Sequence, residues 1–73
     1  MLRLSELKQP QKTRITRIDG PEMIRLMEMG ITPGLPLEIV RTAPLGYPIE
    51  IKIRGYLLSL REAEASCVFL EQV

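Results

Sequence analysis

The side chains that most often carry out chemistry in proteins are nearly absent from this sequence. It contains no histidine and a single cysteine, Cys67. A serine or cysteine nucleophile activated by histidine is therefore excluded, and so is a zinc site built from cysteine and histidine. One cysteine also excludes an intramolecular disulfide bond. Because Cys67 begins an apolar run, we predict a small buried residue rather than a reactive thiol.

Carboxylates are the remaining candidates for catalysis or metal binding. Glu62 and Glu64 point to different sides of a helix or strand, so we predict that both are solvated and that they form no catalytic pair. Asp19, Glu22, Glu28 or Glu64 could offer oxygen ligands to a hard cation, but their spacing indicates no convergence. We therefore predict a protein that is not an enzyme and holds no metal or cofactor.

Three methionines lie in the stretch 21–30, whose apolar spacing is that of a short helix. Met23 and Met27 fall on its apolar side, where we predict core packing. Met29 is predicted at the surface, where a flexible thioether suits an adaptable protein contact. Arg25 falls on the solvated side, close enough along the helix to join such a contact.

The loop "APLGYP", residues 43–48, carries two prolines and one glycine. Prolines hold a loop stiff, so Leu45 and Tyr47 would lose little conformational entropy when a partner binds them. The alternative is a plain connection between two strands, with Leu45 tucked inward. The residues alone leave both possibilities open.

Strands must position this loop, and alternating hydrophobic residues predict about five of them. Ile49, Ile51 and Ile53 alternate with charged residues and are predicted to face inward. The other predicted strands are 12–19, with a bulge or an early end, 37–42, the residues after Tyr56, and 67–73 with Val68 and Leu70 inward. Residues 61–66 are predicted to form one helical turn.

Two turns complete the prediction. Gly30 ends the helix in a left-handed conformation, and Pro33-Gly34 has the residue types of a type II turn. Gly55-Tyr56 fits a two-residue hairpin turn that begins with glycine. That turn would pair Ile53 with Leu58 and Ile51 with Leu60.

The 73 residues form one predicted domain, residues 1–73, with an aliphatic core because only three residues are aromatic. Short antiparallel strands around one thin core close best as a barrel. We predict a mostly β fold: a small SH3-like barrel of about five antiparallel strands with one short α-helix. An open α+β sheet is the second possibility.

The net charge of +1 argues against a general nucleic-acid binder. Residues 1–17 nevertheless hold five basic residues against Glu6 alone, and Lys52 and Arg54 face outward. An RNA-binding SH3-like barrel is therefore the alternative function, although exposed aromatic side chains for stacking are scarce. Charges near the N-terminus interrupt any signal peptide, and no uncharged stretch approaches the length of a membrane span, which favours the cytoplasm.

The stretch "RLMEMGITPGLPLEIVRTAPLG", followed by "IRGYLLSLR", resembles the ferrous iron transport protein A family, FeoA. It also resembles the FeoA-like domain at the C-terminus of some metal-dependent repressors. The resemblance covers residues 4–73. The family usually has aspartate in the Ala-Pro-Leu-Gly loop where this chain has Tyr47, so a role that needs a carboxylate there is in doubt.

The resemblance implies an SH3-like barrel and a cytosolic accessory of ferrous iron uptake. Its implied partner is the cytosolic portion of the membrane GTPase FeoB, with membrane contact only through that partner and no nucleic acid expected. Formation of homo-oligomers is left open. We predict the following contact residues for the partner: Arg25, Met29, Leu45, Gly46 and Tyr47.

Overall fold

The computed structural model describes residues 2–73, which form short strands and helices. The strands are β1 (Leu2–Arg3), β2 (Gln11–Ile18), β3 (Pro36–Thr42), β4 (Ile49–Ile53), β5 (Tyr56–Leu60) and β6 (Val68–Gln72). The helices are α1 (Met23–Glu28) and α2 (Glu62–Ala65), and a 3₁₀ turn spans Leu4–Glu6. The two-residue β1 and the 3₁₀ turn are additions to the predicted elements.

All neighbouring strands pair antiparallel in one sheet, in the order β1-β6-β2-β3-β4-β5. The molecule measures 28 × 24 × 24 Å along its principal axes. A single sheet encloses a core only by curling around it, and buried side chains of β2, β3, β4, β5 and β6 pack together in one cluster. The prediction of a mostly β, barrel-like fold is confirmed, and the open α+β sheet does not describe it.

The core is aliphatic, as the composition predicted. β4 shows how the sequence builds it, because its three isoleucines alternate with solvent-facing residues and all three are buried. Val68 and Leu70 of β6 point inward as predicted. The buried cluster comprises Leu4, Ile15, Ile18, Leu26, Ile31, Leu37, Ile39, Ile49, Ile51, Ile53, Leu60, Ala65, Cys67, Val68 and Leu70.

The end of α1 and the turn that follows it agree with the prediction. Gly30 has φ +88°, and the amide of Ile31 donates to the carbonyl of Leu26 at 3.0 Å. This is the hydrogen bond of a Schellman motif, and it folds Ile31 into the core. Gly34 has φ +93°, and Pro36 begins β3, so the predicted turn is confirmed.

The β4–β5 hairpin has a different turn from the predicted one. Its central residues are Arg54 and Gly55, with φ +53° and +82°. Positive φ at both positions is typical of a type I′ turn, which matches the twist of the two strands. Ile51 therefore pairs with Leu58 rather than with Leu60. The predicted register was wrong by two residues, and a shift by two leaves the inward residues on the inward face.

The methionines of α1 also differ from the prediction. Met27 is 46% exposed, although core packing was predicted for it. Met29, predicted at the surface, is partly buried and packs against the core, as does Met23. The cause is the orientation of α1 on the core. Leu26 and Ile31 are fully buried on its inner side, and Met29 lies nearer to that side than Met27 does.

Candidate partner-binding surface

The loop of residues 43–48 connects β3 to β4 and is closed by its own hydrogen bonds. The amide of Gly46 donates to the carbonyl of Ala43 at 2.8 Å, and the amide of Ala43 donates to the carbonyl of Pro48 at 3.2 Å. Gly46 has φ +102°, a conformation that glycine adopts without strain. The loop therefore has one defined shape instead of a range of shapes.

Tyr47 holds this loop against the rest of the molecule. Its ring packs on the core, and its hydroxyl donates to the carbonyl of Ser5 at 3.3 Å. The ammonium of Lys8 lies 4.3 Å from the ring centroid, a cation–π contact. Thr42, just before the loop, donates its hydroxyl to the carbonyl of Lys8. Tyr47 therefore acts as an anchor for the loop.

Leu45 stands at the tip of the loop and is 96% exposed. The alternative left open by the sequence, with Leu45 tucked inward, is therefore wrong. A fully exposed leucine on an anchored loop costs little entropy to bury against a partner. Gly46 beside it leaves the backbone open to approach, since the nearest atom to an added Cβ would be the Lys8 Nζ at 3.9 Å.

The structure places Met29 away from this loop. The carbonyl of Met29 accepts a hydrogen bond from the Tyr56 hydroxyl at 3.3 Å, and Tyr56 begins β5 next to the β4–β5 turn. The 43–48 loop joins the opposite end of β4, five residues away. Five residues of strand span about 16 Å. Met29 and Leu45 thus do not form one continuous patch.

The side chain of Arg25 pairs with Glu64, while its backbone carbonyl accepts a hydrogen bond from the amide of Met29 at 3.1 Å. The Arg25 Nε lies 3.3 Å from Glu64 Oε2, and the Glu64 side chain is 4% exposed. The other carboxylate oxygen, Oε1, accepts a hydrogen bond from the backbone amide of Arg61 at 2.9 Å. Glu64 thus caps α2 and ties it to α1, and the prediction that it is solvated was wrong.

Glu64 is a structural residue that the sequence interpretation missed. The signal was present, because a glutamate three residues after the residue that begins a helix is the spacing of a capping box. Arg61 precedes α2, and Glu64 is its third helical residue. Reading residues 61–64 as a cap rather than as alternating solvated charges would have found it.

Other chemistry is sparse in the part of the chain that the structure describes. No three histidine, cysteine, aspartate or glutamate side chains in residues 2–73 come close enough together to hold a metal ion. Cys67 is 3% exposed, as predicted for a packing residue. Neither helix within that range has the length and hydrophobicity that a bilayer crossing requires.

Basic residues that supported the alternative RNA-binding function do come together. Lys12 and Arg14 of β2 line one shallow groove with Lys52 and Arg54. The groove has a volume of about 420 Å³, and none of its lining side chains is aromatic. Single-stranded nucleic acids are held by positive charge and by stacking on aromatic rings. This groove has the positive charges but lacks the aromatic rings.

Comparison with known proteins identifies the family. The FeoA domain family model matches residues 2–72. A fusion of the Fe(2+) transport protein A with the Fe(2+) transporter FeoB, from Porphyromonas gingivalis, is 34% identical over 74 residues. That match covers 99% of this chain and 9% of the fusion protein. The chain thus corresponds to a small part of that relative.

Solved structures share the fold. The FeoA-like protein of Clostridium acetobutylicum is 34% identical, with a TM-score of 0.91 over 99% of this chain and 86% of that one. FeoA of Stenotrophomonas maltophilia, an SH3 domain protein whose structure contains zinc, has a TM-score of 0.80 at 20% identity, covering 97% and 91% of the two chains. This second likeness shows the fold alone and confirms the SH3-like barrel. With the family model matched over residues 2–72, the chain belongs to the FeoA domain family.

Proposed function

We propose that this chain is a cytosolic accessory of ferrous iron transport that binds the cytosolic GTPase portion of a FeoB-type transporter. The observation that carries the proposal is the homologous sequence fused to an Fe(2+) transporter FeoB in Porphyromonas gingivalis. Fusion holds two partners at a high effective concentration. Association of the same two domains without that tether would need a contact surface on this one.

The 43–48 loop is the contact that the proposal assigns. It combines a leucine that is 96% exposed with a backbone fixed by internal hydrogen bonds. Truncation of a few well-placed apolar side chains usually removes most of the binding energy of an interface. Leu45 would supply that energy, with the Gly46 backbone and the outer edge of Tyr47 beside it.

Arg25 and Met29 belong to the proposal as a second, separate contact region. Arg25 keeps about half of its side chain in solvent while it pairs with Glu64. Met29 offers only the part of its side chain that the core leaves open. The two regions lie near opposite ends of β4, so we expect them to contribute independently to binding.

A nuclear magnetic resonance titration tests the proposal. The labelled chain is mixed with the purified GTPase portion of the FeoB-type transporter from the same cell, once with GDP and once with a GTP analogue. We expect shifts at residues 43–48, and a difference between the nucleotides would identify a regulatory contact. The absence of shifts with both nucleotides, at protein concentrations near 1 mM, would contradict binding to this portion.

Two matched variants test the assigned site. Leu45→Ser is expected to weaken binding about tenfold while the spectrum of the remaining residues stays unchanged. Leu57→Ser is the control, since Leu57 is a leucine 55% exposed on β5 and lies outside both assigned regions. An unchanged dissociation constant for Leu45→Ser would show that Leu45 is not part of the contact, even if the titration shows binding.

A further inference from the structure

The outward face of the sheet carries one row of side chains across four strands. Lys12 lies opposite Glu38, Glu38 opposite Lys52, and Lys52 opposite Leu57. Directly paired side chains on antiparallel strands share a face and lie about 5 Å apart at Cβ. The row therefore places one lysine on each side of a glutamate, with an exposed leucine at its end.

A second row adds two arginines. Arg14 lies opposite Pro36, and Arg54 occupies the adjoining β4–β5 turn. Lys12, Arg14, Lys52 and Arg54 form the basic face, and all four line the 420 Å³ groove. Among the ion pairs that the structure shows within residues 2–73, none includes a cation of this face.

The basic face gives the molecule a positively charged side and a negatively charged side. Only one acidic residue, Glu38, lines the groove with its four cations. Glu71, opposite Arg14 on β6, lies at its edge. Because the whole chain has a net charge of +1, the surface away from the groove carries a negative excess. Such a distribution orients a protein in the field of a charged partner.

The neighbours of the basic face favour lipid over nucleic acid. Leu57 is 55% exposed beside Lys52, and Val73 is 80% exposed at the end of the groove. Cations next to exposed aliphatic side chains suit the boundary between lipid headgroups and acyl chains. Glu38 and Glu71 offset two of the four positive charges and leave the cations in excess. RNA recognition would need aromatic rings, which the groove lacks.

We propose that the basic face lies on the anionic lipid surface around the transporter. The inference rests on the proposed function, because association with a transporter brings the chain to a membrane. It differs from the sequence-based expectation that membrane contact occurs only through the partner. The basic face meets the lipid phosphates, while the 43–48 loop, outside the groove lining, stays available to the transporter.

The expected affinity is low and strongly dependent on salt. Each lysine or arginine near an anionic surface strengthens binding about fivefold. One weak contact does not anchor a protein, and a second contact is needed for stable attachment. The transporter supplies that second contact, and the basic face sets the orientation in which the chain approaches it.

Co-sedimentation with vesicles tests the proposal without any transporter present. The full chain is mixed with vesicles of equal parts phosphatidylglycerol and phosphatidylcholine, and with vesicles of phosphatidylcholine alone. We expect binding to the anionic vesicles only, and its loss when salt rises from about 0.05 M to about 0.5 M. Equal binding to both vesicles, or binding to neither at low salt, would overturn the proposal.

Charge-neutralising variants locate the contact. Lys52→Gln with Arg54→Asn removes two cations, and asparagine before Gly55 suits the type I′ turn, so the fold is preserved. We expect binding to anionic vesicles to weaken roughly 25-fold. The control, Arg17→Gln with Arg61→Gln, removes the same charge outside the groove. An equal loss in the control would show attraction by net charge alone and overturn the assigned face.

Two further probes cover the other acidic partners. Oligouridylate and polyglutamate are titrated at the same low salt, and we expect both to bind more weakly than anionic vesicles do. Tighter binding of either one would assign the face to nucleic acid or to an acidic polypeptide and overturn the proposal. Failure here leaves the transporter titration intact, since that experiment contains no lipid, and the two proposals therefore fail separately.

Discussion

Two segments of this chain that contain proline and glycine have opposite roles. Residues 30–36, "GITPGLP", and residues 43–48, "APLGYP", each place two prolines around a glycine and end at the start of a strand. In the first, Ile31 is completely buried. In the second, Leu45 is 96% exposed. A proline- and glycine-rich stretch therefore predicts a turn without saying which side chains the turn displays.

The difference lies in where the backbone hydrogen bonds go. In the first segment, the amide of Gly34 donates to the carbonyl of Ile15 at 2.7 Å, and the amide of Ile15 donates to the carbonyl of Leu35 at 2.9 Å. These bonds fasten the turn to β2. The hydrogen bonds within residues 43–48 stay inside the loop, and its ties to the rest of the molecule run through Tyr47. The first segment is part of the barrel wall, and the second projects from the barrel into solvent.

The largest expected effect separates the two apolar residues of these segments. Ile31→Ala removes a fully buried side chain and leaves a cavity, so we expect the free energy of unfolding to fall by about 3 kcal/mol. Leu45→Ala is expected to change it by less than about 0.5 kcal/mol, because the side chain is in water already. Urea denaturation of both variants measures the difference. Comparable losses would show that Leu45 packs in solution.

Glu64 provides the next largest effect, because it fixes α1, from which the first segment emerges. Glu64→Ala removes the acceptor of the Arg61 amide and the partner of Arg25, and we expect a loss of about 2 kcal/mol. Glu62→Ala is the control on the same helix, since Glu62 is exposed. Thermal unfolding of the two variants measures the difference in stability. Equal unfolding midpoints would show that Glu64 does not stabilise the fold.

The barrel was predictable from the sequence because its strands are set by strict alternation. Ile49, Ile51 and Ile53 admit only one inward face, and Pro36 fixes the start of β3. The hairpin register was not predictable in the same way. A shift by two residues preserves every inward position, so hydrophobic pairing could not reveal that Arg54 adopts a positive φ.

The exposure of the residues in the proposed contact site was less predictable than the fold. Exposure of Leu45 depends on the anchor that Tyr47 makes to Ser5, forty-two residues away in sequence. Met29 is partly buried because the end of α1 packs against the core cluster, whose residues come from strands far away in the sequence. Spacing along one segment carries no information about such distant contacts, so a surface drawn from sequence combined two regions that the barrel separates.

Substitution of the glycines in the two segments is expected to have an intermediate effect on stability. Gly34 and Gly46 have φ +93° and +102°, and an added Cβ would meet nothing closer than 3.9 Å at either. Alanine at each position therefore costs conformational strain alone, about 1 kcal/mol or slightly more. Calorimetry of Gly34→Ala and Gly46→Ala measures both. A cost near zero at Gly46 would mean that the loop relaxes, and its entropic advantage in binding would be lost.

The smallest expected effect concerns the anchor itself. Tyr47→Phe removes only the hydroxyl that donates to Ser5, in a hydrogen bond of 3.3 Å, so we expect a loss of about 0.5 kcal/mol. The ring keeps its core packing and its contact with Lys8, so the loop should hold its shape and transporter binding should change by less than about twofold. Tyr47→Ser removes the ring as well and is expected to lower both stability and binding. If Tyr47→Phe weakens binding as strongly as Leu45→Ser while stability is retained, the hydroxyl contacts the partner directly, and the division into an anchor and a displayed residue is wrong.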